Sequence, residues 1–72
     1  MAEIRFFGYL SELVGTRIRE VPLKHSVKLR DLVPPSFPEE GIIILINQRA
    51  GTLDSKITDR DSVVFMPFLS GG

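Results

Sequence analysis

Few side chains in this sequence are equipped for chemistry. There is no cysteine to act as a nucleophile. The single histidine, His25, cannot by itself build a metal site or a Ser-His-Asp arrangement, and reads as a surface or turn residue just before a candidate helix cap. Glu39-Glu40 reads as a solvated loop. Asp59 and Asp61 read as shaping a turn, since neither pair comes with the further oxygen ligands that a cation requires. No glycine-rich phosphate loop is present. What remains is the end of the chain, Gly71-Gly72. A free α-carboxyl has a pKa of about 3.5, so near neutrality it is an anion and a poor electrophile. It has to be activated, most simply as an acyl-adenylate made from ATP by another enzyme. A sulfur nucleophile can then displace AMP and leave a thiocarboxylate on Gly72, a soft nucleophile able to deliver sulfur inside a partner's site. Glycines lack Cβ and can thread a narrow channel. From Phe68 onward the five residues span roughly 16 Å at ~3.3 Å each. The plainer alternative is a flexible end with no chemical role.

Whatever positions this end has to be small. Seventy-two residues make one domain, which buries only about 60% of the surface its unfolded chain exposes. Without cysteines, and with one histidine, neither disulfides nor a metal can staple it, so a packed core must suffice. The 43% apolar content allows one. Nine basic and nine acidic residues cancel, with no run of Lys or Arg, which argues against nucleic-acid or phosphate binding. The absence of cysteine fits a reducing interior. The N-terminus shows no charged-then-apolar leader, and no apolar stretch approaches the ~20 residues of a membrane span. The expected location is the cytoplasm.

Glu3-Ile4-Arg5-Phe6-Phe7 alternates before Gly8 and reads as a strand. In Tyr9 to Val14, residues Leu10, Leu13 and Val14 lie at helical spacing, which predicts a short helical turn or tight loop closed by Gly15. Thr16 to Val21 reads as an edge or bulged strand, because Ile18 and Val21 break the alternation. Ser26 is placed to cap a two-turn helix over Val27–Val33, stopped by Pro34-Pro35. Ile42–Ile46 is a fully apolar strand, Asn47-Gln48-Arg49 begins a turn, and Ala50 to Leu53 holds at most a very short strand. Asp54–Ile57 reads as a one-turn link and Thr58–Asp61 as a turn. Val63–Met66 is the last strand, ended by Pro67. The first and last strands are expected to pair at the centre of a mixed sheet covered on one side by the helix. One helix cannot cover two faces. Part of the second face is therefore expected to be an apolar patch, unless loops, Phe7 or Phe68 fold over it.

Phe6-Phe7-Gly8-Tyr9-Leu10-Ser11-Glu12-Leu13-Val14-Gly15 resembles the opening of the MoaD/ThiS-type sulfur carriers, above all the MoaD-like small subunits of molybdopterin synthase. Ile44-Leu45-Ile46-Asn47, the segment Asp59 to Pro67 and the tail Phe68-Leu69-Ser70-Gly71-Gly72 are similar to that family's further motifs. Arg60 stands where the family has glycine, and Phe68 where a second proline is common. The predicted helix is shorter than the family's. The resemblance implies an α+β, ubiquitin-like β-grasp of four to five strands with one short helix over residues 1–67, and a flexible tail over 68–72. It implies no catalytic side chain in the chain itself. Gly72 would be activated by an E1-like adenylating enzyme of MoeB/ThiF type. A MoaE-like molybdopterin synthase large subunit would accept its sulfur for the molybdopterin, or tungstopterin, dithiolene. Gly71, Ser70, Leu69, Phe68 and Leu53 would dock these partners. No cofactor would be held stably, the adenylate and thiocarboxylate being covalent intermediates. Thiamin sulfur carriers share the Gly-Gly end, and ubiquitin-like modifiers of the same fold join theirs to lysines. These two, and a pure interaction module whose function would survive loss of Gly71 and Gly72, are the competing readings.

Overall fold

The computed structural model describes residues 1–68. Its elements run β1 (Ala2–Phe6), α1 (Tyr9–Val14), β2 (Ile18–Val21), β3 (Val27–Lys28), a 3-10 turn (Leu29–Leu32), β4 (Ile42–Ile46), β5 (Arg49–Ala50), β6 (Lys56–Ile57) and β7 (Ser62–Pro67). Five strands form a mixed sheet in the order β2-β1-β7-β4-β5, and β3 pairs with β6 in a separate two-stranded ribbon. The architecture is the expected ubiquitin-like β-grasp.

The sheet is organised around β1 and β7, which run parallel at its centre with Phe6 opposite Phe65. Alternation along β1 turns Ala2, Ile4 and Phe6 into the core and Glu3 and Arg5 away from it. Along β7 the inward residues are Val63 and Phe65, and on β4 Ile44 faces the same way, paired with Phe65. The rings of Phe6 and Phe65 stack at 5.3 Å between centroids, nearly parallel. Phe37, carried by the loop after Pro35, closes this pair edge-on, its centroid 6.1 Å from Phe6 and 5.0 Å from Phe65. Offset and edge-on arrangements of this kind contribute about 0.5–1.5 kcal/mol per pair beyond area burial.

The short helix predicted at Tyr9–Val14 is present. It buries Leu10 and ends at Gly15, whose φ of 90° lets its N–H reach the Ser11 carbonyl at 2.8 Å. The helix expected over Val27–Val33 is not formed. Val27–Lys28 is extended and pairs with β6, in the segment read as a simple link. The next two N–H groups are taken across the ribbon, Leu29 donating to the Ser55 carbonyl and Arg30 to that of Leu53. Only a 3-10 turn follows before Val33 becomes extended ahead of Pro34. The apolar spacing nonetheless does its job: Leu29 is fully buried, and Leu32 and Val33 pack against the core.

β2 is an edge strand, as its broken alternation suggested. The expectation for the second face also holds. The pairing register places Glu3, Arg5, Ile18, Ile43, Leu45, Val64 and Met66 on the side away from the core. Ile43, Leu45, Val64 and Met66 are half-buried, while Phe7 and Ile18 are each 48% exposed.

Phe37 is 5% exposed yet sits in a loop. Its replacement by alanine should cost about 3–5 kcal/mol, comparable to the whole stability of a domain this small. Urea unfolding should find Phe37→Ala substantially unfolded without denaturant; a loss below about 1 kcal/mol would contradict this packing.

Candidate functional site

The candidate site is the end of the chain, and the structure shows how its base is built. β7 reaches Pro67, which lies opposite Ile42 in the β4 pairing. The next residue, Phe68, is held by its N–H, which donates to the Gly41 carbonyl at 2.8 Å. Gly41, at φ 75°, turns the chain into β4 at that point. On the other side of β7, Gly8 adopts φ 58° and ψ −142° between β1 and α1. A Cβ there would lie 2.8 Å from Pro67 Cγ. The tail therefore starts between two glycine turns. Neither Gly8 nor Gly41 was singled out from sequence; the available signal was that each glycine sits where one element ends and another starts.

Of the residues assigned to this site, Phe68 is 59% exposed at the tail's base. Leu69, Ser70, Gly71 and Gly72 lie outside the described residues. Leu53 is elsewhere: only 7% exposed, it packs in the core, so the surface it offers to a partner is small.

The charged groups serve the scaffold. Arg30 bridges Glu39 at 2.6 Å and Asp54 at 3.1 Å, tying the 3-10 turn to two loops. Both carboxylates are exposed, so these pairs contribute little. Asp54 is nonetheless held below the usual carboxylate range by its hydrogen bond and charge interaction with Arg30. Asp59 is lowered chiefly by the Leu23 N–H, which donates to it at 2.8 Å, and further by the N-terminal ammonium 3.3 Å away. Asp61 is lowered by the Thr58 N–H and then by the Asn47 amide. Asp59 and Asp61 thus shape the turn before β7. Asn47, at φ 51°, also accepts the Ser62 N–H through its Oδ1 at 3.0 Å, clipping the β4–β5 turn onto the start of β7. Among the described residues no group of three or more His, Cys, Asp or Glu side chains is gathered to hold a metal. Nor, among them, is any helix long and apolar enough to cross a membrane.

The ThiS family profile matches residues 4–72. The chain belongs to the ThiS family. Over its full length, and the full length of the relative, it is 28% identical to the molybdopterin synthase sulfur carrier subunit of Escherichia coli (strain K12). In structure it is similar to SAMP1 from Haloferax volcanii, with TM-score 0.73, 21% identity and coverage of 99% and 98% of the two chains. It is also similar to a putative molybdopterin converting factor, subunit 1, from Pyrococcus furiosus, with TM-score 0.68, 20% identity and coverage of 94% and 97%. Those structural likenesses establish the fold of this ThiS-family chain.

The lowered carboxylates set its acid behaviour. A carboxyl whose folded pKa lies below its unfolded value of 3.8 adds stability that is fully present above that value. The stability is lost as pH falls through the lower folded pKa. Unfolding free energy should therefore be flat near neutrality and decline below about pH 4. Asp61→Asn should flatten that decline while lowering stability at pH 7, measured by denaturant unfolding across pH. An unchanged acid limb in both Asp59→Asn and Asp61→Asn would contradict the assignment.

Proposed function

We propose that this ThiS-family chain is a sulfur carrier whose working group is the Gly72 carboxylate. The observation that carries the reading is that the family match runs through the terminal glycine itself. The short, pinned tail base described above supports it. In the proposed sequence a carboxylate oxygen of Gly72 attacks the α-phosphorus of ATP and pyrophosphate leaves. A sulfur nucleophile at the oxidation level of sulfide then forms a C–S bond as the acyl C–O bond to AMP breaks. The thiocarboxylate that results gives up its sulfur to an acceptor in a partner's site. The full-length likeness to the Escherichia coli carrier supports molybdopterin, or tungstopterin, dithiolene assembly as the destination. On that reading the chain is the small subunit of a two-subunit synthase. An E1-like enzyme would activate it, and a MoaE-like large subunit would receive Phe68, Leu69, Ser70 and Gly71 along with the reactive end. All of this would take place in the cytoplasm, with no stably bound cofactor.

A second reading, conjugation of Gly72 to lysines, is supported by the structural likeness to a protein described as a small archaeal modifier. Both readings begin with the same adenylate and diverge afterwards.

Incubation with an E1-like adenylating enzyme from the source organism, ATP and sulfide separates them by intact mass. The carrier reading predicts a product with one terminal oxygen replaced by sulfur. Isopeptide-linked species in place of that product would support the modifier. A variant with one alanine added after Gly72 should give neither product, and full activity of that variant would contradict both.

A further inference from the structure

We infer that Gly8 is a positioning residue for the reactive tail: it is the surface against which Pro67 is set, and so fixes the direction in which the chain leaves the sheet. The inference rests on the carrier reading for its functional consequence and on geometry for its cause.

Two features work against a side chain here. The backbone of Gly8 lies at φ 58° and ψ −142°, a region that residues with a Cβ rarely adopt. A Cβ at this residue would also approach Pro67 Cγ to 2.8 Å and Cδ to 3.3 Å. The obstacle is a proline ring, which cannot swing aside as the end of a long side chain would. Gly8 itself cannot retreat easily. Its carbonyl accepts both the Ser11 N–H at 3.2 Å and the Ser11 hydroxyl at 2.8 Å, locking it to α1. Phe7 on its other side donates its N–H to the Phe65 carbonyl. Across β7, the Phe68 N–H is held by the Gly41 carbonyl. Pro67 is thus held from both flanks at the base of the tail.

Four residues follow Phe68 and reach at most about 13 Å when fully extended, so the placement of Pro67 and Phe68 limits where Gly72 can be delivered. Errors of about 1 Å in the placement of a reacting group can cost 100-fold in rate. A partner that grips the folded domain would still bind a chain with a displaced Pro67, but the Gly72 carboxylate would be delivered off target. The expected defect is in turnover and not in affinity.

The test pairs Gly8→Ala with Gly15→Ala. Gly15 also has a positive φ, 90°, but nothing lies within 4 Å of its would-be Cβ. Both variants should lose thermal stability, so any difference between them is not a matter of folding alone. Two readouts are taken at temperatures where both are folded. In pyrophosphate release with the adenylating enzyme, Gly8→Ala should lower kcat by about tenfold or more with KM within about threefold, and Gly15→Ala should leave kcat unchanged. In amide hydrogen exchange, which needs no partner, the Phe68 N–H should exchange about tenfold faster in Gly8→Ala only. Equal kcat and equal Phe68 protection in the two single variants would overturn the inference. If the wild-type chain supports no adenylation, the carrier reading fails, and Phe68 exchange alone then decides whether Gly8 sets the tail's base.

Discussion

The rest of this structure depends on one contact of very long sequence separation, the parallel pairing of β1 with β7. It brings the second residue of the chain into the same sheet as the sixty-second, and a flexible chain pays loop-closure entropy for that. The compensation is concentrated where the strands meet, in the stacked rings of Phe6 and Phe65 and in the Phe37 ring set against both. Because parallel neighbours need a crossover, everything between Phe7 and Asp61 acts as connection. That connection doubles as the second layer, supplying Leu10, Leu29, Phe37, Leu53 and Ile57 to the core. The same pairing decides where the chain emerges. β7 ends beside the point where β1 turns into α1, so the glycine that makes that turn touches the proline that ends the last strand.

A domain of this size can cover only one side of its sheet. The uncovered side carries half-buried Ile43, Leu45, Val64 and Met66 next to exposed Phe7, softened by the Glu3–Arg5 ion pair at 2.9 Å. Val64 and Met66 lie on β7, the strand that leads to the tail, and Ile43 and Leu45 on its neighbour β4. A carrier has to be held by its partners while its end is worked on, and a scaffold with an exposed apolar face and a pinned exit suits that division of labour.

Much of this was legible in the residues. Alternation over Glu3–Phe6 and the strand-length apolar runs at Ile42–Ile46 and Val63–Met66 gave the three central strands. The illegible part was local structure decided by distant partners. Val27–Val33 has helical spacing and a serine placed to cap it, but Val27 and Lys28 pair with β6 and the Leu29 and Arg30 N–H groups bond the Ser55 and Leu53 carbonyls. No window of sequence contains that competition. Lys56–Ile57 was invisible as a strand for the same reason, being only two residues long and defined wholly by β3. Phe37 looked like part of a connecting loop, since a lone aromatic between prolines and acids has no periodicity to betray its burial. At the tail, chemistry singled out Gly72, whereas the residues that set its base, Gly8 and Gly41, act through backbone shape.

On the proposed reading, a main-chain carboxylate at Gly72, and no side chain, is what another enzyme activates. Semisynthesis can replace that carboxylate with a carboxamide and leave every side chain in place. Exchange of labelled pyrophosphate into ATP, measured with the adenylating enzyme and each form of the chain, tests the claim directly. The acid should support exchange and the carboxamide should not; equal exchange with the two forms, or none with the acid, would contradict it.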